Sequence, residues 1–184
     1  LARAHGKIRV VAKGVRRTKS RFGARLEPGM VVDLQCYEGR NLDTVTQAVT
    51  IQSYGEQIAR DYRAYTVLHT VLETADRVAE ERLPMLQQFL LLQGALAALA
   101  GGAHDASLVL DAYLLRALAI AGWAPSFHDC AKCGDPGPQL AFNLASGGAV
   151  CPLCRTPGSA APARGTMELL AALLAGDWAI ADAS

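Results

Sequence analysis

Four of the five cysteines stand as two close pairs, Cys130-x2-Cys133 and Cys151-x2-Cys154, with seventeen residues between the pairs. No other feature narrows so far what this chain can fold into. A two-residue gap lets one tight turn aim both sulfurs at a single point, and Gly134 after the second cysteine supplies the backbone freedom such a turn uses. Two such turns match the spacing of a closed tetrahedral site for one structural zinc ion, Zn2+, with no position left for water. Paired disulfides, free thiols, or an iron or redox centre remain the alternatives. The odd cysteine count argues against a secreted disulfide framework. A nucleobase deaminase needs H-x-E and P-C-x-x-C, and neither occurs; a thioredoxin-like site needs one C-x-x-C opening a helix in a βαβ unit. His128, two residues before Cys130, is either a substitute ligand or a solvated loop residue.

Charge is the second constraint. The chain of 184 residues carries 18 Lys plus Arg against 17 Asp plus Glu, a net of +1. That near-neutral average hides a segregation. The first 25 residues hold nine cations (Arg3, Lys7, Arg9, Lys13, Arg16, Arg17, Lys19, Arg21 and Arg25) and no acid, leaving nine cations against 17 acids elsewhere, a net of −8. Unopposed cations on loops and exposed strand faces contact phosphates without reading sequence, so DNA is the expected partner of this segment. A solvated surface is the bland reading of the same run. Phe22 and Tyr37 are placed where either would stack a base or pack within the domain.

Periodicity divides the chain. Ile8, Val10 and Ala12 alternate with Lys7, Arg9, Val11 and Lys13 as in a half-buried strand, and the polar run Arg16–Arg21 follows as a loop. Met30, Val32, Leu34 and Cys36 mark a second strand with Cys36 on the buried face. Val45, Val49 and Ile51 mark one side of a third. From Glu56 the period becomes helical, with Ile58, Tyr62, Tyr65, Leu68, Leu72, Ala75 and Val78 on one stripe. Further helices are expected over Met85–Ala100, stopped by Gly101-Gly102, over Ala106–Ala121 with Asp105 as N-cap, and over Met167–Ala175 after a Thr166 N-cap. Residues 124–164 lose periodicity and hold six of the eight prolines. Leu83, Met85, Leu86 and Phe89 to Leu92 offer more apolar surface than one helical stripe requires, either as core or as a partner groove. The apolar run Phe89–Ala100 is too short for a membrane span, so no membrane partner and a cytoplasmic, nucleoid-associated location are expected. No P-loop, H-E-x-x-H or G-x-S-x-G occurs, so the chain does not read as an enzyme.

The run Val11-Ala12-Lys13-Gly14-Val15-Arg16-Arg17, continuing through Ser20-Arg21-Phe22 to Leu26-Glu27-Pro28, then Gly39-Arg40-Asn41-Leu42-Asp43, then helices carrying a late four-cysteine loop, resembles the RecO family of bacterial DNA repair proteins in its zinc-bearing form. The resemblance covers nearly the whole chain. It implies an α+β architecture: an N-terminal OB-fold β-barrel over 1–54, then an α-helical domain over 55–184 with an inserted zinc loop at about 124–164. A five-stranded barrel would place its first strand before Leu1. The family also implies a non-enzymatic recombination mediator that binds single- and double-stranded DNA and anneals complementary strands. Its implied partners are RecR, the C-terminal tail of single-stranded DNA-binding protein and, indirectly, RecA. Carried onto this chain, the DNA-binding residues are Lys13, Arg16, Arg17, Lys19 and Arg21, to which the charge pattern adds Lys7, Arg9 and Arg25, and the metal ligands are Cys130, Cys133, Cys151 and Cys154. Readings from other classes are a zinc-thiolate redox-regulated chaperone, whose usual C-x-C pair is missing, and a zinc-ribbon transcription accessory protein.

Overall fold

In the computed structural model, which describes residues 1–20 and 22–184, the chain forms two compact units, Leu1–Ala106 and Ser107–Ser184. The first begins with a three-stranded sheet built from the alternating, β-branched stretches. Strand β1 (Val10–Val11) pairs parallel with β3 (Asp43–Ser53), and β3 pairs antiparallel with β2 (Met30–Tyr37), giving the order β1-β3-β2. Only two residues of the expected Lys7–Lys13 strand enter the sheet. A 3-10 turn over Gly23–Leu26 separates β1 from β2. Among the described residues the sheet has three strands and does not close, so the architecture observed is α+β with a small N-terminal sheet, not a complete barrel.

Two register shifts in the β2–β3 pairing change which side chains face inward. Val32 pairs with Thr50 while Val31 pairs with Gln52, and Cys36 pairs with Val45 while Gln35 pairs with Gln47, so Ile51 and Thr46 are extra residues on β3. Each extra residue reverses the alternation beyond it. The uninterrupted period-two reading therefore fails: Val45 is buried and Ala48 half-buried, whereas Val49 and Ile51 are 50% and 57% exposed. Cys36, beside the second shift, is exposed rather than buried.

Where β3 ends, the chain turns into the short helix α1 (Tyr54–Ile58) and crosses the start of β2 at van der Waals distance. Gly55 donates its N–H to the Gly29 carbonyl at 3.0 Å, and a Cβ at Gly55 would collide with the Pro28 carbonyl, so the crossing requires glycine. The helical pattern read continuously from Glu56 is broken here. Asp61 N-caps a new helix, α2 (Tyr62–Val78), its carboxylate accepting from Ala64 N–H at 3.0 Å. The break turns the stripe: Ala64, Val67, Leu68, Val71 and Ala75 are buried, while Tyr62 is 83% exposed and Tyr65 is also on the outside. Each fully buried Val or Leu of this face contributes about 1.5–3 kcal/mol. Helix α3 (Leu86–Gly101) packs against α1 and α2 and stops at Gly102 in the left-handed conformation.

The N-terminal segment is fastened to the α2–α3 connection. Lys7 N–H donates to the Glu80 carbonyl at 3.3 Å, and Arg82 N–H donates to the Lys7 carbonyl at 2.9 Å.

In the second unit, α4 (Ala106–Ile120), α5 (Thr166–Ala175) and α6 (Trp178–Ala181) meet through Ala112, Leu173 and Ala181, supported by Leu108, Leu115, Leu169 and Trp178. Gly165, not Thr166, occupies the N-cap of α5, and Gly176 ends it as expected. The aperiodic stretch before α5 contains an antiparallel hairpin, β4 (Ala141–Asn143) with β5 (Gly148–Val150). Among the described residues no helix is long and apolar enough to cross a membrane.

Candidate metal centre and nucleic-acid interface

The hairpin positions the sulfurs. Cys151 directly follows β5, and the first cysteine pair is tied to that strand by Ala131 N–H donating to the Ala149 carbonyl at 2.7 Å. Each pair sits in a tight turn. Gly134 N–H donates to the Cys130 carbonyl at 2.8 Å, with Gly134 at φ 74°, and Cys154 N–H donates to the Cys151 carbonyl at 3.1 Å. Asn143 braces the hairpin: its side-chain oxygen accepts from Ser146 N–H at 2.9 Å, and its amide donates to Thr156 Oγ1 at 3.1 Å and Ser159 Oγ at 3.2 Å.

All four Sγ atoms lie within 4.8 Å of one another, with Cys133 Sγ and Cys151 Sγ 3.8 Å apart. A tetrahedral ion at the usual zinc–sulfur distance puts its ligands about 3.8 Å apart. The donor set therefore fits one thiolate-preferring metal ion. Cys130 and Cys151 are buried with Ala141 and Val150, Cys133 is exposed and Cys154 is half-buried against that small core. Electrostatics agree with the geometry. Hydrogen bonding from the Cys151 backbone leads the effects that hold the Cys130 thiol down at about 6, whereas hydrogen bonding to Cys133 leads those that push Cys154 up to about 12. Four sulfurs this close cannot all ionise without a cation between them. His128 does not join the cluster: its Nδ1 lies 3.0 Å from Asp129 Oδ1, which also accepts from Gly137 N–H at 3.1 Å.

Six of the nine cations of the first 25 residues fall into two groups. Lys13, Arg16, Arg17 and Lys19 are exposed on the turns after β1, and none makes an ion pair among the described residues. Hydrogen bonds from Arg17 N–H to the Gly14 carbonyl at 3.1 Å and from Ser20 N–H to the Arg17 carbonyl at 2.8 Å shape that stretch. Arg25 donates from Nη1 to the Phe22 carbonyl at 3.3 Å. Arg21 lies outside the described residues. Lys7 and Arg9, by contrast, are engaged: Lys7 Nζ is 2.8 Å from Asp76 Oδ1, and Arg9 Nη2 is 2.6 Å from Glu81 Oε1. The Lys7 ammonium holds the Asp76 carboxyl below the usual carboxylate range. Sequence reasoning missed both acids, because nothing local to Lys7 or Arg9 points to partners about seventy residues away.

Of the two aromatics offered for base stacking, Phe22 is buried and belongs to the core, while Tyr37 is exposed at the end of β2. Leu83, Leu86 and Leu90 are close to half exposed, so part of the surplus apolar surface near α3 stays open, while Leu92 and Leu96 are buried.

A small α+β chain with a segregated cationic segment and a four-cysteine cluster that fits a metal ion is the class of protein the fold and site define. Residues 1–54 match the family described as recombination protein O N terminal, and residues 59–183 match recombination protein O C terminal. The chain is 58% identical over 186 residues to the DNA repair protein RecO of Nocardioides sp. (strain JS614), covering 99% of this chain and 76% of that relative. It is 54% identical over 191 residues to the RecO of Streptomyces coelicolor and 54% identical over 185 residues to that of Thermobifida fusca, covering all of this chain and 77% and 76% of those relatives. The chain belongs to the RecO family of DNA repair and recombination proteins.

Proposed function

We propose that this chain is a recombination mediator that binds single- and double-stranded DNA and anneals complementary strands without nucleotide hydrolysis. The observation that carries the reading is the cationic segment: four exposed cations with no ion-pair partner among the described residues, in a chain whose remainder is net acidic. The DNA-binding set is Lys7, Arg9, Lys13, Arg16, Arg17, Lys19, Arg21 and Arg25, on an N-terminal domain over 1–54. A cationic surface that neutralises two strands at once lowers their mutual repulsion, so complementary bases find register. The three-stranded sheet with its two bulges belongs to an OB-fold barrel, since bulges serve such barrels at their corners. The helical domain, 55–184, carries a loop at about 124–164 in which Cys130, Cys133, Cys151 and Cys154 hold one Zn2+. Four thiolates fill the tetrahedron, so the ion is structural and its role is to order a Pro- and Gly-rich loop. As in the family, the protein works in the cytoplasm on the nucleoid with RecR and the tail of single-stranded DNA-binding protein, and helps RecA to load.

The test is annealing of complementary oligonucleotides coated with single-stranded DNA-binding protein, at two salt concentrations and without nucleotide. Salt-sensitive annealing is expected. Its absence from metal-loaded protein overturns the mediator reading and moves the function toward the chaperone or transcription alternatives.

A further inference from the structure

Two cations of the basic segment are held by acids about seventy residues away in sequence, at the end of α2 and in the connection after it. Lys7 Nζ touches Asp76 twice, at 2.8 Å from the carboxylate and at 2.7 Å from the backbone carbonyl, and Arg9 Nη2 meets Glu81 at 2.6 Å. A carboxylate offers Lys and Arg the same charge-assisted acceptor that a phosphate does. Three of the four partners are open to solvent, the side chains of Asp76, Glu81 and Arg9 being 67%, 52% and 67% exposed, while that of Lys7 is 21% exposed. Exposed pairs of this kind are weak and readily exchanged. The backbone beside them is fastened independently, by the Lys7 N–H bond to Glu80 and the Arg82 N–H bond to Lys7. The side chains can therefore change partners while the strand stays in place.

We infer that Asp76 and Glu81 set the DNA affinity of the basic segment, standing in for phosphates on Lys7 and Arg9 and yielding them when a strand occupies it. The inference rests on the DNA-binding reading. While the acids are present, a bound phosphate gains these two cations only by leaving two carboxylates to take up counterions, so the exchange releases few ions. With the acids neutralised, both cations become full contributors to counterion release. For a single strand each adds about 0.7 to the slope of log affinity against log salt, about 1.4 for the pair. This widens the ratio of affinities between 50 and 200 mM salt by about sevenfold.

The experiment is fluorescence anisotropy of a labelled oligo-dT with the full metal-loaded chain and with its Asp76→Asn/Glu81→Gln variant, across that salt range. The variant is expected to bind more tightly at low salt with the steeper slope. Adding Lys7→Gln and Arg9→Gln to it should bring the slope back to that of the parent. If the double variant fails to fold in a thermal melt, Glu81→Gln alone, in the exposed connection after α2, carries the test with half the change in slope. An unchanged slope in a folded variant overturns this inference while leaving DNA binding intact. A parent chain that does not bind oligo-dT overturns the DNA-binding reading itself, and the inference with it.

Discussion

Gly148→Ala should weaken metal binding without touching a sulfur. Gly148 opens β5 directly against Ser126, and a Cβ there would lie 2.8 Å from Ser126 N and 3.0 Å from Ser126 Cβ, closer still to the Ser126 carbonyl oxygen. Ordinary carbon contacts begin at about 3.5 Å, so Ser126 would have to retreat by at least about 0.7 Å. It cannot do so freely. Its carbonyl accepts from Ala149 N–H at 2.7 Å, its N–H donates to the Gly147 carbonyl at 3.2 Å, and its hydroxyl donates to the Asp129 carbonyl at 2.6 Å. Losing two backbone hydrogen bonds, each worth about 0.5–1.5 kcal/mol net, costs about 1–3 kcal/mol. On the proposed structural role of the ion, loop order and metal binding are coupled, and that cost appears as metal affinity, a loss of about 5- to 150-fold. Competition against a chromophoric zinc chelator measures it, with Gly158→Ala as the control: Gly158 also has a positive φ, but a Cβ there meets nothing within 4 Å. If Gly148→Ala binds zinc as tightly as the parent, the hairpin's contact with Ser126 does not support the site and the reasoning fails.

Neutralising Lys13, Arg16, Arg17 and Lys19 together to Gln should reduce the slope of log affinity against log salt for single-stranded DNA by about 2.8, four cations at about 0.7 each, while leaving the melting temperature near that of the parent; an unchanged slope by anisotropy removes these residues from the interface. Val45→Ala should cost about 2 kcal/mol, whereas Ile51→Thr should stay within about 0.5 kcal/mol, because the bulges bury the first and expose the second; urea denaturation decides, and equal costs would mean the register is wrong. Tyr113 is buried on α4, its hydroxyl has no hydrogen-bond partner among the described residues, and burial pushes it up to about 12. Its neutral form is favoured in the fold, so stability should fall as pH rises from 10 toward 12, and Tyr113→Phe should make that fall shallower while leaving neutral-pH stability equal or higher. Thermal melts across pH test this, and a fall as steep in the variant as in the parent would assign the titration to another group.

What the sequence disclosed followed from the range of the interaction involved. The four cysteines were legible because a ligand pair is a local object: the two-residue gap alone brings each pair of sulfurs together, and the structure only had to bring the two turns to one place. Helix ends at Gly102 and Gly176 were legible for the same reason, a left-handed cap being a property of one residue. The errors lie where a partner at long sequence separation decided. Alternation placed Cys36 on the buried face and Val49 and Ile51 on the same side as Val45, and two residues inserted relative to the neighbouring strand turned them outward. Tyr62 and Tyr65 joined the apolar stripe on paper because Asp61 was not recognised as a new N-cap.

The charge pattern shows the same division and explains why the basic segment is not uniform. On a strand, residues two apart share a face, so Lys7, Arg9 and Lys13 would stand together on one side, where acids from elsewhere in the fold can reach them. Lys7 and Arg9, just before β1, meet Asp76 and Glu81 there. Beyond β1 the chain abandons the strand at Gly14, whose φ of 78° no β-branched residue would adopt without strain, and winds through successive turns. Freed from alternation, Lys13, Arg16, Arg17 and Lys19 all reach solvent. A glycine followed by residues with no apolar period thus leaves each cation of this stretch exposed. Replacing Gly14 with Val is the corresponding perturbation: it favours continuation of the strand and should weaken single-strand binding though every cation remains. Unchanged affinity in a folded Gly14→Val protein would show that the turn does not govern how these cations meet DNA.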